Sequence, residues 1–197
     1  MSETGMIKDV SGVILAGGRS TRMGKDKATL DVSGLTMFER NLCMMRKLFE
    51  KTIIAGNRPD LSQPDVPCFP DHYPGSALGG LYTGLKEAET EYIMATACDM
   101  PYPDPGIGRL LVGMRKGYDV VVPKTPYGLE PLFAVYRKTC LPFMQSLLEQ
   151  GLYQIFLFYP HVRVRYVSEG ELPGDWEHAL LNVNTPEQYT QVKEQEP

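Results

Sequence analysis

The chain has 197 residues, 43% of them hydrophobic and 22% charged, which is the composition of an ordinary globular protein. Its net charge of −4 argues against a general nucleic-acid binder or a protein held on an anionic membrane, both of which carry a basic excess. No apolar run approaches the roughly 20 residues that cross a bilayer, and the polar, acidic first residues lack the apolar core of an export signal, so a soluble, cytoplasmic protein is expected.

Residues 12–17 form a continuous apolar run that stops at glycines, the pattern of a buried strand. Ser33-Gly34 reads as a turn. Thr36 and Glu39 form a capping-box pattern that opens a helix running to about residue 49. Strands are predicted at 51–56 and, very short, at 66–69. Leu78, Leu81, Tyr82 and Leu85 recur at helical spacing and define a helix over 78–88. A strand at 91–97 ends at Cys98-Asp99. A proline-rich loop, 101–106, leads to a helix at 107–115. Strands at 118–123 and 131–136 flank a turn at Tyr127-Gly128, and a helix over 138–150 is expected to bend at Pro142. The aromatic stretch 152–159 is expected to pack into the core rather than serve for docking. In the strand at 162–167, Arg163 and Arg165 share one face, read as solvated. A polar loop over 169–177 and a short last strand at 180–183 precede a final helix, with Thr185 as its cap and Pro186 at its first position.

Strands alternating with helices imply right-handed βαβ units and a mostly parallel sheet. The expected fold is α/β: one Rossmann-like three-layer domain with an antiparallel insertion at 118–136, a core spanning about 12–192, and flexible termini. The four cysteines, at 43, 68, 98 and 140, include no Cys-x-x-Cys pair. Reduced packing thiols are expected, without zinc or disulfides.

The loop after the first strand concentrates charge. Gly17 and Gly18 are followed by Arg19, Arg22, Lys25 and Lys27, with only Asp26 against them. Glycines let backbone N–H groups approach a bound group, and the cations suit an anion, so a nucleoside triphosphate satisfies both features. The loop is neither familiar phosphate cradle. Its Gly18…Gly24-Lys25 spacing is one residue longer than Walker A and Asp26 stands in place of Ser or Thr, while Gly-x-Gly-x-x-Gly is absent from this loop. A basic solvated loop is the plainer alternative. Asp99, at a strand tip, suits either a hard divalent cation or a helix cap. His72, His161 and His178 show no ligand spacing and are read as structural.

The stretch Leu15-Ala-Gly-Gly-x-Ser-x-Arg22-Met-Gly-x-Asp-Lys27 resembles the signature of nucleotidyltransferases, and specifically of the molybdenum cofactor guanylyltransferases. The resemblance recurs at Asp71-His-Tyr-Pro-Gly-Ser-Ala-Leu-Gly-Gly80, Ala97-Cys-Asp-Met-Pro101, Glu130-Pro-Leu-Phe-Ala134 and Asn182-Val-Asn-Thr-Pro186, in family order. It implies transfer of GMP from GTP to the phosphate of molybdopterin or molybdenum cofactor, with release of pyrophosphate and with Mg²⁺ as cofactor. It implies nucleotide contacts from Leu15, Ala16, Gly17, Gly18, Arg22, Lys27, Asn57, Asp71 and Asp99, with Arg22, Lys27 and Asp99 catalytic and Asp99 the metal ligand. Whether Asp71 meets base or ribose stays open. Glu130, Pro131, Asn182 and Asn184 fall on the acceptor side by the same resemblance, and other cofactor-biosynthesis or molybdoenzyme chaperone proteins are implied as hand-over partners. At Ala55-Gly56, where some relatives carry Asn, this chain departs from the pattern, as it does at Ala77-Leu78. A cytidylyltransferase for the same cofactor, a sugar-phosphate nucleotidyltransferase, and a non-catalytic GTP-binding adaptor of the same fold are the competing readings. Asp26-Lys27 and the Asn-Val-Asn-Thr-Pro stretch favour guanylyl transfer over the sister enzymes, and the presence of Arg22, Lys27 and Asp99 argues against an adaptor.

Overall fold

The computed structural model describes residues 5–17 and 26–194. Gly18, Arg22 and the rest of the loop between Gly17 and Asp26 lie outside the described residues. In chain order the elements are β1 (Val10–Leu15), β2 (Asp31–Val32), β3 (Leu35–Thr36), α1 (Met37–Leu48), β4 (Thr52–Ala55), β5 (Cys68–Phe69), α2 (Ala77–Glu87) and β6 (Tyr92–Ala97). They continue with α3 (Pro105–Gly113), β7 (Val120–Thr125), β8 (Gly128–Leu129), β9 (Phe133–Arg137), α4 (Leu141–Glu149), β10 (Val164–Ser168), α5 (Trp176–Ala179) and α6 (Pro186–Glu194).

The main sheet runs β10-β7-β9-β6-β1-β4-β5, with β8 paired to β7. Pairings β1–β4, β1–β6, β4–β5 and β7–β10 are parallel, and β9 runs antiparallel between β6 and β7. The expected mostly parallel sheet with one antiparallel insertion is therefore the observed one. β1 is central and all six of its residues are buried, because a parallel strand covered on both faces has no wet side. Its side chains alternate between two cores. Val10 and Ile14 pack with Leu42, Met45 and Leu48 of α1 and with Ile107 and Leu111 of α3. Val13 and Leu15 pack with Leu78, Leu81 and Leu85 of α2 and with Met144 and Leu148 of α4. Each fully buried Ile or Leu in these layers contributes about 1.5–3 kcal/mol. A third, smaller core joins Leu30, Val32 and Met37 to Val183 and Val192. The Tyr189 hydroxyl donates to the Asp31 carbonyl at 2.6 Å. This cluster draws the end of the chain back over the segment that follows the glycine loop.

Local signals explain most element ends. The capping box is present at α1: the Glu39 N–H donates to Thr36 Oγ1 at 3.2 Å and the Thr36 N–H donates to Glu39 Oε2 at 2.7 Å. α3 begins earlier than its hydrophobic spacing suggests, because Asp104 accepts from the Ile107 N–H and Pro105 sits in the first turn. Pro142 does not bend a helix; it stands in the first turn of α4, after a 3₁₀ turn at Lys138–Cys140. The stretch expected as an aromatic core segment is split. Ile155, Phe158 and Tyr159 are buried in a 3₁₀ helix over Ile155–His161, while Leu152, Tyr153 and Phe156 are exposed. The polar loop over 169–177 ends in α5. The expected strand at 180–183 does not form. The N–H groups of Leu180 and Leu181 close the last turn of α5, bonding to Trp176 and His178 carbonyls, so no ladder is left for a strand to join. All four cysteines are free. Among the described residues no helix is long and apolar enough to cross a membrane.

Candidate active site

The strand order reverses at β1. The chain moves from β1 outward to β4 and β5, then returns to β6 on the other side. Such a switch point opens a crevice at the carboxyl ends of the strands. Here the crevice is a cleft of about 290 Å³ lined by Leu15, Ala16, Gly17, Asp26, Lys27, Arg58, Gly75, Ser76, Ala77, Gly80, Ala97, Cys98, Asp99 and Leu132. It shares Ala16, Gly17, Arg58 and Gly75 with a second recess of about 730 Å³ that adds Asn57, Asp71 and Pro74. Small-molecule sites typically occupy about 300–1,000 Å³.

At one end of the cleft stands Asp99, just past β6. Its Oδ2 accepts from Lys27 Nζ at 3.1 Å, and the same ammonium donates to Asn184 Oδ1 at 2.7 Å. Its Oδ1 is buried and has no hydrogen-bond partner among the described residues. A buried acceptor without a partner is uncommon and calls for a donor or a cation. The helix-cap alternative is excluded, since Asp104 caps α3. Lys27 begins a 3₁₀ turn over Lys27–Thr29 whose cap is Asp26, accepting from the Ala28 N–H at 3.1 Å. Asp26 also pairs with Arg58 at 2.7 Å, tying the exit of the glycine loop to the segment after β4.

At the other end stands Asp71, after β5. Its Oδ1 is likewise buried without a partner among the described residues, and burial pushes its carboxyl above the usual aspartate range, partly offset by nearby His72. Gly17 packs directly on this group: a Cβ there would lie 2.7 Å from Asp71 Oδ2. Between the two carboxylates, the amino end of α2 opens onto the cleft, capped by Ser76, which accepts from the Gly79 N–H at 3.1 Å. Gly79 is required by close packing, as a Cβ would fall 1.8 Å from the Tyr73 carbonyl oxygen.

Of the acceptor-side residues, Asn182 Nδ2 donates to Glu130 Oε2 at 3.3 Å. Burial raises the Glu130 carboxyl above its ordinary range, helped by the Asp99 charge and opposed by the bond from Asn182. Asn182 and Asn184 flank the fully buried Val183, as alternation suggested, although the segment is not a strand. The Val183 N–H donates to the Asp99 carbonyl at 2.9 Å and so ties the segment bearing both asparagines to the turn of Asp99. None of Glu130, Pro131, Asn182 and Asn184 is among the residues lining the two recesses; the Pro131 carbonyl accepts from the Tyr136 hydroxyl at 2.7 Å, and its neighbour Leu132 lines the wall.

The structure thus brings Leu15, Ala16, Gly17, Lys27, Asn57, Asp71 and Asp99 around one connected crevice, with Asn184 on Lys27 and Glu130 on Asn182. Gly18 and Arg22 lie outside the described residues. Sequence reasoning passed over Asp26 as a lining residue, although its place between two lysines was a signal, and over Cys98 and Leu132, whose signal was their place inside two of the quoted motifs. Burial pushes the Cys98 thiol up to about 12, in keeping with a packing role.

An open, mostly parallel sheet with two strand-end carboxylates, a lysine and a helix amino end around its switch point defines a nucleotide-handling α/β protein. Residues 12–164 match the family model described as the MobA-like NTP transferase domain, and the chain belongs to that family of nucleotidyltransferases. It is 39% identical over 180 residues to a probable molybdenum cofactor guanylyltransferase of Pelotomaculum thermopropionicum, covering 89% of this chain and 88% of the relative. It is 34% identical to a molybdenum cofactor guanylyltransferase of Vibrio atlanticus, covering 92% and 94% of the two chains. The crystal structure of molybdopterin-guanine dinucleotide biosynthesis protein A from Archaeoglobus fulgidus shares the fold, with a TM-score of 0.81 at 22% identity over 94% of this chain and 97% of that one.

Proposed function

We propose that the protein transfers GMP from GTP to the terminal phosphate of molybdopterin or of its metal-loaded form, releasing pyrophosphate and producing a guanine dinucleotide cofactor. The observation that carries this reading is the pair of strand-end carboxylates, Asp71 and Asp99, each with a buried oxygen lacking a partner among the described residues, at the two ends of one crevice. The names of the relatives point to the same reaction.

The acceptor phosphate oxygen attacks the α-phosphorus of GTP. A bond forms between them as the bond from the α-phosphorus to the oxygen bridging the β-phosphate breaks, and pyrophosphate leaves with that electron pair. A phosphate is already an anionic nucleophile, so no general base is needed. Asp71 supplies an acceptor for the nucleoside's N–H or O–H donors. Lys27, held between Asp99 and Asn184, faces the phosphates, and the first amides of α2 add positive potential. Asp99 would hold Mg²⁺, which prefers oxygen ligands and takes one or two protein carboxylates, leaving phosphates and water to complete its shell. When bound, the ion supplies charge stabilisation on the transferring phosphoryl group. Asn182 and Glu130 present an amide and a carboxyl to the acceptor.

The test is thermal stabilisation by GTP, ITP, 2′-deoxy-GTP, CTP and UTP, each with Mg²⁺, followed by transfer from labelled GTP to molybdopterin. Selective stabilisation by GTP with label transfer is the expected result; selectivity for CTP would make the chain a cytidylyltransferase. Loss of preference for GTP over ITP in Asp71→Ala would put Asp71 on the base, and loss of preference over 2′-deoxy-GTP would put it on the ribose.

A further inference from the structure

We infer that Asn41 is a positioning residue that sets the Asp99 carboxylate against Lys27. The inference rests on the reading of Asp99 as the cation ligand and names what holds Asp99 in place. Asn41 lies on the inner face of α1 with no exposed surface. A carboxamide so placed must satisfy its polar atoms within the protein. Its Nδ2 donates to the Met37 carbonyl one turn back at 2.8 Å and to the Met100 carbonyl at 2.9 Å. Its Oδ1 accepts from the hydroxyl of fully buried Thr96 at 2.7 Å. The bond to Met37 is local to the helix. The other two reach 55 and 59 residues along the chain, to β6 and to the turn that follows it.

An apolar side chain would fill a gap between helix and sheet without the cost of burying an amide. What Asn41 adds is direction. The Cys98 N–H is tied to the Leu15 carbonyl at 3.2 Å, and the Asp99 carbonyl accepts from the Val183 N–H at 2.9 Å. The Met100 carbonyl is tied to Asn41. Three successive residues around the carboxylate are thus anchored to three different segments, and the Asn41 anchor is the one made by a side chain. The amino end of α1 is rooted in the segment bearing Lys27: the Met37 N–H donates to the Leu30 carbonyl at 2.9 Å, and the Leu30 N–H to the Lys27 carbonyl at 3.2 Å. A chain of hydrogen bonds through α1 therefore links the backbone of Lys27 to the turn of Asp99. Site groups need to be held to about 0.5 Å, and a carboxylate on a turn without its own secondary structure depends on such anchors.

The test compares Asn41→Leu with Thr96→Val. The second variant removes the hydroxyl bonded to Asn41 but keeps the bond from Asn41 to Met100, so it disturbs the same core without cutting the anchor. Three readouts are taken on the full chain: hydrogen exchange at the Val183 amide, Mn²⁺ affinity in the presence of GTP without acceptor, and kcat and KM. In Asn41→Leu the Val183 amide is expected to exchange about tenfold faster than in Thr96→Val. Mn²⁺ affinity and kcat are expected to fall by about tenfold, the usual effect of removing a group that orients a metal ligand, with KM for GTP within about twofold of the parent. Equal exchange and equal Mn²⁺ affinity in the two variants would overturn the inference. If Asn41→Leu fails to fold, Asn41→Ser, whose hydroxyl is too short to reach Met100, is judged by the same criteria. If the parent binds Mn²⁺ no better than Asp99→Ala, the reading of Asp99 as a cation ligand fails; faster Val183 exchange confined to Asn41→Leu would still support the role of Asn41 in holding the turn.

Discussion

Two aspartates at strand ends differ in what surrounds them, and their variants should differ accordingly. Asp99 has a lysine on one oxygen and, among the described residues, no hydrogen-bond partner on the other. Asp99→Ala is expected to lower metal-dependent transfer by roughly 10²-fold or more while the far-ultraviolet circular dichroism spectrum stays that of the parent. Unchanged turnover would remove Asp99 from the mechanism. Burial raises the Asp71 carboxyl, partly offset by nearby His72. Between the ordinary aspartate pKa and the raised one, the folded state binds more protons than the unfolded state, so stability falls as pH rises through that window and the deficit persists at neutral pH. Asp71→Asn is therefore expected to melt higher than the parent at about pH 7, with the difference vanishing below about pH 3, where both forms are neutral. The same variant should bind GTP roughly tenfold to a hundredfold more weakly, the worth of a hydrogen bond to a charged acceptor. A lower melting temperature together with intact GTP binding would show that the carboxylate serves the fold rather than the ligand.

Elements near the cleft are held by a few short-range devices, and these set the cost of local changes. The capping box of α1 satisfies two backbone or side-chain donors at its first turn. Thr36→Ala is expected to cost about 1 kcal/mol in urea denaturation, with the m-value unchanged. α2 meets the Asp71 loop through Gly79, where a Cβ would collide with a backbone carbonyl rather than with a side chain able to move. Gly79→Ala is expected to cost about 3 kcal/mol, the upper end of overpacking. GTP affinity should fall with it, because the displaced carbonyl, that of Tyr73, belongs to the loop that carries Asp71. A stability loss without any change in GTP affinity would separate the packing of α2 from the site.

At the scale of the whole molecule, binding of nucleotide should be visible as stability. A ligand at about 100 times its dissociation constant adds roughly 2.7 kcal/mol, which for a chain of this size is a rise in melting temperature of roughly 5–10 °C. The expected rise is for GTP with Mg²⁺, and it should shrink in Asp71→Asn; equal rises with all four ribonucleoside triphosphates would remove base selection from the proposal. The crevice that produces it is assembled from distant parts of the chain. The third small core packs Val183 and Val192 on Leu30, Val32 and Met37, and this is how Asn184 comes within 2.7 Å of Lys27 across 157 residues.

The sequence by itself determined the layers and the mostly parallel sheet, while the strand order that makes β1 the switch point came from the structure. Continuous apolar runs such as that of β1 can be satisfied only between two covering layers, and their alternation with helical spacing leaves a mostly parallel sheet as the solution. Asp99 was legible for the same reason, since it follows an apolar run and so stands at a strand tip, whereas Asp71 entered through the resemblance of its motif to the nucleotidyltransferases. Three further features were decided by the tertiary structure alone. The segment at 180–183 has strand composition, but its N–H groups are taken by α5 and by Asp99, and no local pattern reveals that competition. Pro131 sits inside a motif yet turns its carbonyl to Tyr136 and leaves the cleft wall to Leu132. The pairing of Lys27 with Asp99 and Asn184, and of Asp26 with Arg58, depends on contacts whose separation in sequence carries no periodicity. Local patterns are set by covalent neighbours and by the need to bury apolar surface, whereas the partners of polar groups are chosen by which donors and acceptors remain after the cores have formed.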